Sequence, residues 1–80
     1  MYYVYVLESQ KDGRYYVGAT ADIKDRLKRH NAGETKSTKP YLPYKIVHIE
    51  TFSSLSTARK RETEIKKRKS RKYIDNLIAK

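Results

Sequence analysis

Five polar side chains stand where the apolar pattern of the chain leads inward or onto one sheet face: Tyr5, Tyr16, Arg26, His30 and Glu62. Their types suggest a site that grips an oxyanion beside a cation. Arg26 carries a planar fork that can hold two anionic oxygens at once. Glu62 offers hard oxygens suited to Mg²⁺ or Mn²⁺. A phenol moves protons near neutrality only if its pKa is drawn down from about 10, which needs cations or hydrogen bonds around it. His30 can share or relay a proton. A structural reading competes for each residue. Glu62 can pair with Arg26, or with Arg59 or Lys66 along its own helix, and tyrosines commonly pack with only the hydroxyl wet.

The elements that position these residues can be read from periodicity. Tyr2 to Leu7 alternates with period two, placing Tyr3, Tyr5 and Leu7 on one face and Val4 and Val6 on the other. Lys11-Asp12-Gly13 then turns the chain into a second strand at Tyr15-Tyr16-Val17-Gly18, since Asp-Gly between apolar runs marks a hairpin. A helix follows from Asp22, its N-cap, to Asn31, with Gly33 as the stop. Ile23, Arg26, Leu27 and His30 share one face of it at i, i+3, i+4 and i+7. Ile23 and Leu27 must face the core, so Arg26 and His30 are carried next to it, within reach of the tyrosines on the strands.

A polar connector runs from Ala32 to Pro43, where Lys36, Thr38, Lys39 and Tyr41 are candidates to touch phosphates. Tyr44 to Phe52 is a third strand, with Ile46, His48 and Glu50 expected on one side and Val47, Ile49 and Thr51 on the other. His48 reads as structural. A helix begins at Ser54 or Ser56 and runs to about Lys69, with Glu62 on the inward stripe between Ala58 and Ile65. An inward glutamate requires a counter-charge or a metal. Ser70 opens a last short helix whose apolar face is Tyr73, Ile74, Leu77 and Ile78.

Eighty residues allow one domain, residues 1–80, with a small core. No cysteine is present, which excludes disulfides and thiolate metal sites and is compatible with a cytoplasmic protein. Met1 leads directly into a strand, so no signal peptide is expected, and no apolar run suits a membrane span. The net charge is +10, and residues 59 to 72 carry nine basic and two acidic side chains. Concentration of charge on one element points to a polyanionic partner, nucleic acid first.

Taken together, Val4-Tyr5-Val6, Tyr16-Val17-Gly18, Arg26 ten residues after Tyr16, then His30, and Glu62 within Ala58-Arg59-Lys60-Arg61-Glu62 resemble the GIY-YIG nuclease domain. The likeness spans nearly the whole chain and is strongest to short stand-alone bacterial members. Valines at positions 4 and 17 depart from the family's letters, and Ala19 stands where some relatives carry lysine. The resemblance implies an α/β (α+β) domain with a small, mainly antiparallel three-stranded sheet flanked by helices. It also implies DNA phosphodiester hydrolysis in repair or recombination, with Tyr5, Tyr16, Arg26 and His30 catalytic and Glu62 holding one divalent metal, Mg²⁺ or Mn²⁺.

Three functions fit these residues. The first is a metal-dependent endonuclease. The second is a basic module that binds nucleic acid on the same scaffold without cutting. The third, resting on the basic block alone, is an assembly factor on a ribonucleoprotein. The nuclease reading further expects a phenol with a lowered pKa, or a transient phenolate favoured by a nearby cation, with Arg26, His30 and the metal as the source. It also expects the tyrosine-bearing face to form a shallow groove lined by the basic helix.

Overall fold

A computed structural model describes residues 1–34, 39–68 and 71–79. Three strands, β1 (Tyr2–Ser9), β2 (Tyr15–Thr20) and β3 (Tyr44–Phe52), form one antiparallel sheet in the order β2-β1-β3. Helix α1 (Ile23–Asn31) follows β2, and α2 (Leu55–Arg68) and α3 (Arg71–Ile78) follow β3. The α+β architecture expected from the sequence is the one observed.

Period-two alternation sorts the central strand between two cores. Val4 and Val6 turn to one face and pack with Val17, Ala58 and Ile65 beneath α2, with Ile74 and Leu77 of α3 beside them. Tyr5 and Leu7 turn to the other and pack with Tyr44, Tyr16, Ile23 and Leu27 beneath α1. β1 is therefore covered on both sides: Val4, Val6 and Leu7 are all 0% exposed. Each such aliphatic side chain contributes about 1.5–3 kcal/mol on burial.

The β1–β2 turn is held by Ser9. Its buried hydroxyl accepts from the amides of Lys11 (3.1 Å) and Asp12 (3.2 Å) and donates to the Tyr41 carbonyl (2.6 Å). Gly13 takes φ +79, which a side chain would resist. Arg71 of α3 reaches back to this turn, donating to the Gly13 carbonyl at 3.0 Å.

Two expectations change. The alternation of β3 is broken, because the register against β1 slips between Val6 and Leu7: Val6 faces His48 and Leu7 faces Ile46, leaving Val47 as the extra residue. Ile46 thus joins the Tyr5 core, while His48 and Glu50 lie on the α2 side, opposite Val6 and Val4. Second, the basic helix α2 does not line the tyrosine-bearing face, because its apolar residues Ala58 and Ile65 pack the Val4–Val6 face. Ser54 caps α2, its hydroxyl accepting from the Thr57 amide at 3.2 Å. Lys36, Thr38, Lys69 and Ser70 lie outside the described residues.

Candidate active site

The two phenols come from adjacent strands. Tyr5 is paired with Gly18 across the ladder, and Leu7 with Tyr16, so both phenols rise on the α1 face. Gly18 is required here for space. A Cβ on it would stand 2.6 Å from Cζ of Tyr5 and closer still to the hydroxyl. Without that atom the Tyr5 ring lies across β2.

Helix α1 delivers Arg26 and His30. Asp22 caps it, accepting from the Asp25 amide at 3.0 Å. At the other end Gly33, at φ +78, lets its amide donate to the His30 carbonyl at 3.0 Å. Asn31 then fixes the helix to β3: its Oδ1 accepts from the Tyr44 amide (2.8 Å) and its Nδ2 donates to the Tyr44 carbonyl (3.2 Å). The His30 ring, 1% exposed, is thereby held with Nε2 3.3 Å from the Tyr5 hydroxyl. It stands edge-on to the Tyr16 ring, with centroids 4.9 Å apart. The Arg26 guanidinium completes the group beside the Tyr5 phenol, where its charge favours the ionised form.

Burial sets the proton affinities. Desolvation raises the Tyr5 pKa above its ordinary value, and Arg26 opposes that without overcoming it. Burial, with Arg26 adding to it, pushes His30 below the usual histidine range, so the ring is neutral at pH 7. In the protein alone burial therefore outweighs Arg26 at Tyr5, and the lowered phenol expected from Arg26, His30 and a metal together would depend on the metal. His30 brings no positive charge, and the cost of drying Tyr5 exceeds what Arg26 returns.

Glu62 approaches from the opposite side of the sheet, on α2. Its side chain is 20% exposed, and its Oε2 accepts a hydrogen bond from Lys66 Nζ at 2.7 Å. The Arg26 pair considered from the sequence is not formed. The Glu62 charge reaches Tyr5 only as a minor influence that raises the phenol pKa. The structure thus brings Tyr5, Tyr16, Arg26 and His30 together and leaves Glu62, paired with Lys66, outside their direct contacts.

The donor set can be compared with a divalent metal. Among the described residues no three acidic, histidine or cysteine side chains cluster at metal-binding distance. That excludes an all-protein cage there but suits Mg²⁺ or Mn²⁺, which keep several waters and use one or two carboxylates plus substrate oxygens. Lys66 Nζ already stands as a cation on the Glu62 oxygen, so the carboxylate presents itself to positive charge.

Other candidates take different roles. Tyr41 is packed into the Tyr5 core with the Arg14 guanidinium 3.5 Å over its ring, and Lys39 lies along Gly33. His48 is structural, as expected, and belongs to a network the sequence did not reveal. Arg61 donates to both oxygens of Glu50 (2.7 and 3.0 Å), to Glu64 (2.6 Å) and to the Tyr73 hydroxyl (3.0 Å), while His48 Nε2 lies 2.8 Å from Glu50. This network ties β3, α2 and α3 together on the face away from Tyr5.

Comparison with known proteins agrees with this geometry. Residues 1–74 match the GIY-YIG catalytic domain. A UPF0213 protein of Syntrophus aciditrophicus is 48% identical over 67 residues, covering 81% of this chain and 76% of the relative. One from Natronomonas pharaonis is 43% identical over 79 residues, covering 98% and 91%. The solution structure of UPF0213 protein BH0048 from Bacillus halodurans superposes with a TM-score of 0.60 at 36% identity, covering 99% of this chain and 84% of that one. The chain accordingly belongs to the GIY-YIG family of nuclease domains, which act on nucleic acid and generally depend on a divalent metal.

Proposed function

We propose that this protein is a metal-dependent endonuclease that hydrolyses DNA phosphodiester bonds in the cytoplasm, with Tyr5, Tyr16, Arg26 and His30 at the reacting phosphate and Glu62 as the metal ligand. The observation that carries this reading is the convergence of the Tyr5 hydroxyl, the His30 ring and the Arg26 guanidinium at one spot.

Arg26 binds a non-bridging phosphate oxygen and neutralises charge that builds in the transition state. Tyr5 takes a proton from the attacking water once its own has been released, and His30, neutral and 3.3 Å away, accepts or returns that proton. Tyr16, half-buried on the same face, orients the water or the phosphate. Glu62 would hold a Mg²⁺ or Mn²⁺ ion, which when bound would supply stabilisation of the charge that develops on the phosphate and leaving oxygen and lower the phenol pKa. Each pKa unit so gained corresponds to about 1.4 kcal/mol.

The test is cleavage of supercoiled plasmid and labelled oligonucleotides with Mg²⁺ or Mn²⁺. Wild type cleaves, Arg26→Ala and Glu62→Gln do not, and EDTA stops the reaction. A second reading, a non-cutting nucleic-acid-binding module, is favoured by the Glu62–Lys66 pair, which satisfies the carboxylate without a metal. It expects salt-sensitive DNA binding that Glu62→Gln leaves intact and no cleavage under any metal.

A further inference from the structure

We propose that Lys66 is a tethered cation that competes with the metal for Glu62, so that the metal-binding carboxylate is occupied from within the chain until the ion arrives. The inference rests on the reading of Glu62 as the metal ligand given above.

Arg59, Glu62, Thr63, Lys66 and Lys67 fall at i, i+3, i+4, i+7 and i+8 of α2 and line one open depression of about 510 Å³. Glu62 is the single acid in that lining, set among three cationic side chains. The neighbours are not equivalent. Lys66 Nζ sits 2.7 Å from Glu62 Oε2, the contact an incoming cation needs. The Glu62 side chain is 20% exposed and lies between the buried positions Ala58 and Ile65 on the helix. The Lys66 side chain is 51% exposed and mobile about its four-carbon stem, so it is the partner that moves.

A divalent ion reaching Glu62 therefore displaces the ammonium or binds against its repulsion. In either case Lys66 weakens metal binding. An exposed i,i+4 pair is individually weak, whereas a dication beside a lysine a few ångströms away is repelled at twice the strength of a monovalent charge. The combined effect is about three- to tenfold in metal affinity at low ionic strength, smaller in salt. Once displaced, Lys66 joins Arg59 and Lys67 along the depression, where phosphate oxygens of the substrate are its natural partners. The same side chain then serves metal-free and substrate-bound states in turn.

The experiment is a Mn²⁺ titration of the full chain without nucleic acid, with free Mn²⁺ counted by electron paramagnetic resonance. Lys66→Met removes the charge at an exposed position with a good helix former, so the fold is retained. Lys67→Met removes an equal charge from the same depression without touching Glu62. We expect Lys66→Met to bind Mn²⁺ about three- to tenfold more tightly than wild type, with Lys67→Met changing affinity less than about twofold. Lys66→Met equal to or weaker than wild type overturns the competition. So does an equal gain in Lys67→Met, which would reduce the effect to general charge. Unchanged Mn²⁺ binding in Glu62→Gln would instead overturn Glu62 as the ligand, separating that failure from this one.

Discussion

The Tyr5 hydroxyl and His30 Nε2 lie 3.3 Å apart although 25 residues separate them in the chain, and both side chains are sealed from solvent. The contact joins the middle strand to α1 and holds two titratable groups in their neutral forms, since burial raises one pKa and lowers the other. Arg26 is then the fixed charge against the phenol, which is what a phosphate arriving at this spot would meet.

Gly18→Ala tests whether space for the Tyr5 ring is essential. The new methyl would overlap the Tyr5 ring atoms, and the ring, packed under α1, has nowhere to go. Overpacking of this kind costs about 1–3 kcal/mol, and each kcal/mol is worth roughly 4–8 °C in a domain this size. Thermal melts should show that loss, together with reduced cleavage well below the melt. A variant as stable and active as wild type would mean that Tyr5 is not held as described.

The lowered pKa of His30 gives stability a defined pH dependence. A histidine kept neutral in the folded state contributes stability that is full above its unfolded pKa of about 6.5 and lost as pH falls through the folded value, with a slope of at most about 1.4 kcal/mol per unit. Glu50, whose pKa Arg61 lowers, adds a similar loss only further down, below about 4.5. Denaturant unfolding between pH 7 and pH 5 should therefore show wild type weakening and His30→Gln flat over the same window.

Arg61→Met should destabilise the protein while sparing the chemistry. It removes the two Arg61 hydrogen bonds from the half-buried Glu50 carboxylate, leaving only its His48 contact, and one from Tyr73. The expected cost is about 1–3 kcal/mol, the range for a partly buried charged group that loses hydrogen-bond partners. Adding Glu50→Gln should recover part of it, a coupling that a double-mutant cycle measures. Cleavage by the folded fraction should be unchanged, because the network lies across the sheet from Tyr5.

If Tyr5 takes the proton, cleavage at saturating Mg²⁺ should rise with pH above neutrality, because the phenol starts from a raised pKa. Tyr5→Phe should abolish that rise along with most of the rate. Tyr16→Phe should lower the rate and keep the slope. Arg26→Lys preserves charge but loses the planar fork, and should fall by about 10²-fold or more, in the range for removing one preorganised donor. The reverse pattern in the two tyrosine variants would exchange their roles.

Much of this arrangement was legible in the sequence. The Tyr2–Leu7 alternation, the Asp12-Gly13 turn and the Asp22 cap define the hairpin and α1 with boundaries close to those observed. Arg26 and His30 stood out as polar residues on a core-facing stripe. What escaped was set by relations between elements. The bulge at Val47 reverses which face Ile46 shares with Glu50, and no local pattern signals a register slip. Arg61 looked like one more solvated base in a basic run, because its partner Glu50 lies on another element. The Asn31 bridge to Tyr44 was likewise hidden by 13 residues of separation. The Tyr5 pKa depended on a balance between drying and Arg26 that only packing decides.

The most direct test of the account is a plasmid-nicking assay with purified wild type and Glu62→Gln across Mg²⁺ and Mn²⁺, run beside DNA binding at the same salt. The account predicts divalent-dependent nicking by wild type, none by Glu62→Gln, and retained DNA binding in both. Equal nicking by the two proteins, or binding without nicking by wild type under every metal, would contradict it.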